Sequence, residues 1–398
     1  MTRTLLGVVL ALAFALPTVL AGTNEEERYS DQADATGFHT QKKMARAADG
    51  ALFSTYVRPV GDNDTQVVVV RDEADLPAVK AARGHQTRPT LALDANGDLR
   101  LAWQELAQSD REVFAARYHA GRWVDVAQLS DGAGYAGFPS MATTADGHVH
   151  VAWYGFDGTS YQTFYRERAE GAWLPEVQFA SGPLDANNPS LVADASGGLH
   201  IAWYKDEGKR YSLWYAHRAP GAAAWDPPRR LPQGPGDALN IALAVAADGT
   251  LHAAWDERTE NATRIMHAAI GAAAAPLGEG EYPAIARFGD DILVAWAAPD
   301  GTLMGSDLAH PAAPLLGGVQ ARNPSLRGPT PIDPDPRLDI LWAQPEDATF
   351  AVRTATIEPW CSPFAASCGP RPNAPLLPLA GLLALALGAA FRRRGHNR

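Results

Sequence analysis

Cysteine is almost absent from this sequence. The only two, Cys361 and Cys368, lie near the C-terminus of a 398-residue chain. So few cysteines exclude a small scaffold held together by disulfides, and two thiols without neighbouring histidines supply too few ligands for a structural zinc ion. In an oxidising compartment the two residues can close a small disulfide loop; alternatively, Cys368 belongs to a C-terminal motif and Cys361 is unpaired.

An excess of positive charge is also missing. The chain has 34 Lys and Arg against 45 Asp and Glu, which gives a formal net charge of −11. Nucleic acids are bound largely through contacts between basic side chains and phosphates. We therefore expect no nucleic-acid partner.

Long apolar runs are absent from the body of the chain and occur only at its two ends. At the N-terminus, Arg3 precedes an apolar stretch at residues 5–20, and small residues stand at the end of that stretch up to Ala21. This order is typical of a secretory signal peptide. An acidic, polar stretch at residues 24–27 follows, which disfavours a transmembrane anchor. We predict a signal peptide at residues 1–21 and an exported protein.

The second apolar run, residues 374–391, contains no charged side chain and is followed directly by Arg392, Arg393 and Arg394. Its length of about 18 residues is just enough for one membrane-spanning helix. Basic residues after such a helix stay in the cytoplasm, which places the body of the protein outside. We predict a linker at residues 361–373 and a membrane-anchoring tail at residues 374–398.

This tail resembles the C-terminal protein-sorting tails of Gram-negative bacteria, in which a short motif precedes a hydrophobic helix and an arginine cluster. Here the motif region is Cys368-Gly369-Pro370. A cysteine ahead of the helix is similar to the myxobacterial version of these tails. The resemblance implies a cell-surface protein whose tail is a substrate of a sorting protease and is released after cleavage; a plain membrane anchor is the alternative.

Between the two ends, one segment recurs. Residues 139–153 read PSMATTADGHVHVAW and residues 189–203 read PSLVADASGGLHIAW. Successive copies end 41 to 52 residues apart, a spacing that indicates a repeat architecture. The aromatic residues that end the seven copies are Tyr56, Trp103, Trp153, Trp203, Trp255, Trp296 and Trp342.

Each copy has the pattern of a β-hairpin. A first strand runs into an Asp-, Asn- or Gly-containing turn, and the second strand alternates apolar and small or polar residues. Two further strand-like segments follow, so that each repeat supplies four short strands, which is typical of a β-propeller blade. We predict an all-β propeller of seven four-stranded blades at residues 42–360, with six blades as the alternative. Residues 22–41 are expected to close the ring by adding an outer strand to the last blade.

The repeat resembles that of the sialidase-like propellers with Asp-box (BNR) repeats, through the pattern P-S-L-x-x-D-x-x-G-x-x-H-x-A-W across residues 42–356. The Asp box itself is missing. Activity in that family implies an arginine cluster, a Tyr–Glu pair and an acidic Asp. Arg322 and Arg88 match the arginine motif only in part, and no Tyr–Glu pair can be assigned. We therefore predict no catalytic residues, and a sialidase-like glycoside hydrolase remains the alternative.

Loops that leave the second strand and loops that lead into the first strand are expected to share one face of the disc. They carry aromatic, amide and acidic side chains, which suit a carbohydrate or protein ligand; ordinary solvated turns are the alternative. The candidate ligand-binding residues are Tyr154, Tyr204, Asp206, Asp256, Glu257, Asn188, Asn240, Tyr282 and Arg322. The sequence thus predicts an extracytoplasmic binding protein for glycan or envelope-protein ligands.

Two clusters raise the question of a metal. Equivalent positions on packed sheets lie about 10 Å apart, so histidines at one repeat position cannot share an ion and are interpreted as packing residues. Carboxylates in the last repeat could hold calcium, but the intervening prolines indicate a rigid loop. We predict no cofactor, with calcium as the alternative. The residues concerned are His150, His200 and His252, and Asp333, Asp335 and Asp339.

Overall fold

The computed structural model describes residues 28–364, except 31–33, 38–39, 62–63, 83, 132–133, 180–181, 348 and 360. Every regular element in this part of the chain is a β-strand, and the strands form seven separate antiparallel sheets. The all-β propeller with seven blades is therefore confirmed, and the six-blade alternative is wrong.

The first three blades follow a short N-terminal strand, β1 (Tyr29–Ser30). Blade 1 contains β2 (Met44–Arg46), β3 (Leu52–Pro59), β4 (Thr65–Arg71) and β5 (Ala74–Asp75). Blade 2 contains β6 (Thr87–Leu93), β7 (Leu99–Ala107), β8 (Asp110–His119) and β9 (Arg122–Gln128). Blade 3 contains β10 (Ala136–Thr143), β11 (Val149–Phe156), β12 (Tyr161–Ala169), β13 (Ala172–Trp173) and β14 (Val177–Gln178). Both β13 and β14 pair with β12, so the outer strand of blade 3 is in two pieces.

Blades 4 to 6 repeat the same order. Blade 4 contains β15 (Ala186–Ala193), β16 (Leu199–Asp206), β17 (Tyr211–Arg218) and β18 (Arg229–Arg230). Blade 5 contains β19 (Asp237–Val245), β20 (Leu251–Arg258), β21 (Thr263–Ala269) and β22 (Ala275–Glu279). Blade 6 contains β23 (Glu281–Phe288), β24 (Asp291–Ala297), β25 (Leu303–Ser306) and β26 (Ala313–Pro314).

The last blade takes its strands from both ends of the domain. Blade 7 contains β27 (Arg322–Arg327), β28 (Leu338–Glu346) and β29 (Thr349–Ile357), and β1 pairs with β29 as its outermost strand. The N-terminal segment thus occupies the edge at which the sequence expectation placed it. The first strands of neighbouring blades contact each other around the axis, and β27 contacts β2, so no blade leaves an open side.

Tryptophan and alanine build the contacts between blades. Trp153 is 1% exposed, and Ala102 of the preceding blade, which is fully buried, belongs to the same apolar cluster. The same relation joins Ala152 to Trp203 and Ala202 to Trp255. A small side chain in one sheet therefore makes room for the indole of the next, and each buried indole stabilises the fold by about 2–3 kcal/mol.

In six blades the first strand contains a β-bulge opposite that tryptophan. In blade 4, Asn187 pairs with Tyr204 and Ser190 with Ala202, so that two residues, Asn188 and Pro189, oppose Trp203 alone. Proline fits a bulge because it has no N–H to donate to the ladder. The equivalent shifts lie in the first strands of blades 2, 3, 5, 6 and 7.

The two terminal predictions fall outside this part of the chain. The signal peptide at residues 1–21 and the helix at 374–391 are not among the described residues. Among the described residues, no helix is long and apolar enough to span a membrane. Cys361 is disulfide-bonded, and Cys368 lies outside the described residues.

Candidate functional site

The first residue of each bulge has an unusual backbone conformation. Its φ is positive, between 44° and 55°, in all six blades that contain a bulge. Asparagine tolerates this left-handed region, whereas arginine and aromatic residues adopt it only at a cost in free energy. We call these positions the bulge residues: Arg88, Phe138, Asn188, Asn240, Tyr282 and Asn323. A costly conformation repeated around one end of the ring points to a site at that end.

A cavity of about 560 Å³ opens at this end of the ring. Four consecutive bulge residues line it, those of blades 3 to 6, together with side chains from the ends of the second strands. The lining residues are Tyr135, Phe138, Tyr154, Tyr161, Asp185, Asn187, Asn188, Tyr204, Leu239, Asn240, Arg258 and Tyr282. We call blades 3 to 6 the cavity arc.

One wall of the cavity is aromatic. The rings of Tyr135 and Tyr154 stack with centroids 5.7 Å apart, and Phe138 lies 5.2 Å from Tyr154. Tyr161 meets Tyr154 edge-on at 5.6 Å. Such contacts hold the rings in fixed orientations, so this wall offers a rigid amphipathic surface with hydroxyl groups on an apolar body.

A buried carboxylate organises the opposite wall. Asp256 is fully buried, and its Oδ2 accepts hydrogen bonds from Asn240 Nδ2 at 2.7 Å and from Arg258 Nη2 at 3.1 Å. Its Oδ1 accepts from the backbone N–H of Tyr282 at 3.2 Å. Burial raises the pKa of Asp256 to about 6. Asp256 therefore lies beneath the cavity, where it orients an amide and a guanidinium that line it.

Two buried polar atoms of the lining have no hydrogen-bond partner within the described part of the chain. They are the acceptor Asn187 Oδ1 and the donor Arg258 Nε. Buried polar atoms are nearly always satisfied, so both atoms need hydrogen-bond partners that the described residues do not supply.

The tyrosines of the cavity are poor candidates for a phenolate. Burial raises the pKa of Tyr154 and of Tyr204 well above the usual range, and neighbouring tyrosines add to the effect. Both hydroxyls thus stay protonated at neutral pH. They can donate and accept hydrogen bonds, but they cannot act readily as ionised nucleophiles or bases.

Five of the nine predicted ligand-binding residues lie in the cavity, namely Tyr154, Tyr204, Asn188, Asn240 and Tyr282, and Asp256 lies directly beneath it. The cavity lining does not include the remaining three. Glu257 accepts a hydrogen bond from the backbone N–H of Gly234 at 2.7 Å. Asp206 accepts one from Gly208 in its own hairpin, also at 2.7 Å. Arg322 lies over the ring of Phe350.

Phe138, Tyr161, Asp185 and Arg258 also line the cavity and were not among the predicted residues. Phe138 could have been found, because it directly precedes the proline of its repeat, as Asn188 does. Arg258 had no such signal, because its role depends on the buried carboxylate two residues earlier. Asp185 accepts a hydrogen bond from the backbone N–H of Tyr161 at 2.9 Å, a pairing that only the folded loops create.

The remaining two bulge residues are held by the N-terminal segment. Asp34 forms an ion pair with Arg88, and Gln41 Nε2 donates to the backbone carbonyl of Arg88 at 2.7 Å. Thr36 Oγ1 donates to the carbonyl of Asn323 at 3.1 Å. We call blades 7, 1 and 2 the closure arc, because the first and last strands of the described residues pair in blade 7.

The repeated histidines form hydrogen bonds within their own blades. Nδ1 of His150 and Nδ1 of His200 each lie 2.8 Å from a tyrosine hydroxyl, on Tyr165 and Tyr215. Nδ1 of His252 lies 2.9 Å from His267 Nε2. One nitrogen of each ring thus has a partner within its own blade.

The carboxylates proposed for calcium face arginines instead. Asp333 pairs with Arg327, and Asp335 with Arg337. Asp339 pairs with Arg46 of blade 1, whose Nε lies 3.1 Å from its Oδ2. Each of the three carboxylates considered as a calcium ligand is thus paired with an arginine.

No protein-family model matches this chain, and no curated protein matches it. Among solved structures it is similar to a polysaccharide lyase, Uly1, with 10% identity, a TM-score of 0.53, and coverage of 81% of this chain and 91% of that one. An ulvan lyase of family PL25, bound to -[GlcA(1-4)Rha3S]-, has 10% identity and a TM-score of 0.53 over 82% and 95% of the two chains. The α-L-arabinanase of Penicillium chrysogenum, complexed with arabinobiose, has 12% identity and a TM-score of 0.51 over 84% and 97%. At such identities these similarities establish the fold alone.

Proposed function

We propose that this protein is a glycan-binding propeller and that the ligand lies in the cavity of blades 3 to 6. The observation that carries the proposal is the composition of one lining: stacked tyrosines on one wall, and asparagines and an arginine on the other. Aromatic rings pack against the apolar faces of sugars, while amides and guanidinium groups bond their hydroxyl and carboxylate oxygens. The solved propellers of similar fold act on or bind glycans, which supports the same class of ligand.

Binding is favoured over hydrolysis by the charges of the site. The sialidase-like alternative requires clustered arginines and a Tyr–Glu pair, whereas the cavity lining within the described residues contains one arginine, Arg258, and no glutamate. The raised pKa values of Tyr154 and Tyr204 also disfavour a phenolate. Incubation of bound glycans with the protein, followed by chromatography of the products, tests this choice: release of shorter fragments would establish the hydrolase instead.

The test of binding uses two asparagines in the same backbone conformation. Asn188 lines the cavity, and Asn323 occupies the equivalent bulge in blade 7, outside it. A glycan array identifies a ligand, and calorimetry measures its dissociation constant. We expect Asn188→Ala to weaken binding about tenfold, the effect of one lost hydrogen bond, and Asn323→Ala to leave it unchanged. Equal effects of both variants, or no array signal, would contradict the proposal.

We further propose that the propeller works outside the cytoplasm, displayed on the cell surface by its C-terminal tail. The apolar runs at residues 5–20 and 374–391 and the arginines at 392–394 support export and anchoring. Cell fractionation with surface proteolysis is the test. Full-length protein should be accessible to added protease on intact cells, and deletion of residues 369–398 should move it to the medium. Recovery in the cytoplasm would contradict display.

A further inference from the structure

Blade 4 brings together two imidazoles and a carboxylate away from the cavity. His200 and His217 are directly paired across β16 and β17, and their ring centroids lie 4.9 Å apart. Asp194 follows β15, and its Oδ2 lies 3.1 Å from His200 Nε2. One ligand atom from each of the three residues lies within 4.8 Å of the other two.

The other nitrogen of each imidazole already has a partner. His200 Nδ1 lies 2.8 Å from the hydroxyl of Tyr215, and His217 Nδ1 lies 3.2 Å from Asp226 Oδ2. Metal-bound histidines are normally held in this way, because a partner on one nitrogen fixes the ring and leaves the other nitrogen for the ion.

The same position in other blades is unsuited to a cation. In blade 2 it holds Arg100 and Arg117, which face each other across β7 and β8. In blade 3 it holds His150 and Glu167, but Arg218 Nη1 lies 2.5 Å from Glu167 Oε2. Among the described residues, blade 4 thus combines two imidazoles and a carboxylate at this position without an arginine bonded to them.

We propose that Asp194, His200 and His217 form a binding site for a divalent transition-metal ion, with Zn²⁺ as the best fit. Two nitrogens and one oxygen with an open fourth position are typical of zinc, whereas Mg²⁺ and Ca²⁺ prefer oxygen alone. The sequence argument excluded an ion shared between blades; this donor set lies within one blade.

The distance between Asp194 and His200 already suits a shared ion. With metal–ligand bonds of about 2.0–2.2 Å, two tetrahedral ligands lie about 3.4 Å apart, close to the 3.1 Å between Asp194 Oδ2 and His200 Nε2. The ligand atom of His217 lies within 4.8 Å of the other two and must move closer, and its side chain is 30% exposed. The metal-bound form requires the Nδ1–H tautomer of His200, whose N–H donates to the Tyr215 hydroxyl.

The test titrates ZnCl₂ into untagged full-length protein that has been treated with chelator and dialysed. Calorimetry should give one equivalent per chain, and zinc should raise the melting temperature. His217→Gln and Asp194→Asn should each weaken binding at least about tenfold. The matched control is His267→Gln in blade 5, where the contact is histidine to histidine, and it should bind zinc as the parent protein does.

Three results would overturn the site: no equivalent of zinc bound, an equal loss in His267→Gln, or retained binding in the double variant Asp194→Asn/His217→Gln. Melting curves recorded without zinc identify any variant that fails to fold. If His217→Gln or Asp194→Asn fails to fold, His217→Asn is used in its place, because the His217 side chain is partly exposed and tolerates a shorter residue. Co²⁺ absorption in the visible range gives a second readout of the same ligands.

Discussion

The cavity arc and the closure arc use the same backbone position for different purposes. In blades 3 to 6 the bulge residues line a cavity, whereas in blades 2 and 7 they are bonded to the N-terminal segment by Asp34, Thr36 and Gln41. A repeat fixes the conformation of a position but not its role. The role depends on what covers the position. Among the described residues, the N-terminal segment covers the bulge residues of blades 2 and 7 only.

The two arcs also differ in what holds them together. The closure arc contains a buried ion pair between Arg46 of blade 1 and Asp339 of blade 7, with a further bond from Arg46 Nη2 to Thr356 at 3.1 Å. In the cavity arc, indole–alanine packing and the ion pair of Arg218 with Glu167 join the blades, and a separate set of polar side chains lines the cavity. Changes in the closure arc should therefore affect stability, and changes in the cavity arc should affect binding.

The largest expected effect is at the closure. Asp339→Ala leaves Arg46 buried without its counter-ion, which should lower the free energy of unfolding by about 3–5 kcal/mol. Urea unfolding measures it. Asp75→Ala, which removes an exposed partner of Arg58, is the control and should cost less than about 1 kcal/mol. The glycan affinity of folded Asp339→Ala should equal that of the parent protein. A loss of affinity in this variant would show that the closure arc also affects binding.

Asp256 should make stability depend on pH in the cavity arc. Burial raises its folded pKa from the ordinary value of 3.8 to about 6, so its contribution to stability is full below about pH 4 and is lost as pH rises through 6. The control is Asp256→Asn, whose side chain at this position does not titrate. Relative to this variant, the free energy of unfolding of the parent protein should fall by about 3 kcal/mol between about pH 4 and pH 7. Parallel pH profiles of the two proteins would show that Asp256 has an ordinary pKa.

Arg258 should matter for binding more than for folding. Its Nε lacks a partner in the described residues, and its side chain is 37% exposed. Arg258→Gln should weaken glycan binding by about 1.5–3 kcal/mol, the value of a hydrogen bond to a charged group. Calorimetry measures it, with Arg88→Gln in the closure arc as the control. A larger loss in the control would place the ligand elsewhere.

The smallest effect concerns backbone strain. Tyr282 has a φ of 55°, which asparagine adopts more readily. Tyr282→Asn should raise the free energy of unfolding by about 0.5–1 kcal/mol and weaken glycan binding, as expected where strain serves a function. Thermal unfolding and calorimetry on the same preparation measure both quantities. Tighter binding by the variant would show that this ring does not contact the ligand.

Much of this architecture can be predicted from the sequence because its causes are local. The spacing of Trp153, Trp203 and Trp255 defines the blades, and the alanine before each indole indicates the packing between sheets. A proline marks the bulge in blades 2, 3, 4, 6 and 7, although its left-handed neighbour is visible only in the structure. The cavity-lining asparagines and tyrosines could be found because they recur at repeat positions.

Other parts of the site arise from contacts between residues far apart in the chain. The ion pair of Arg46 with Asp339 joins residues at opposite ends of the domain, and no local pattern indicates it. Arg322 was predicted to bind ligand, yet it lies in the closure arc beside Phe350. Sequence reasoning placed the candidate residues on one face but could not divide the ring into two arcs, because that division depends on where the N-terminal segment packs.

The most direct test of the cavity-arc account is hydrogen–deuterium exchange with and without a saturating oligosaccharide from the array. The account predicts slower exchange in peptides that cover residues 135–161, 185–204 and 237–258, and unchanged exchange in peptides that cover 85–90 and 322–327. Protection at the closure arc, or at the opposite end of the ring, with none in the first group, would contradict it.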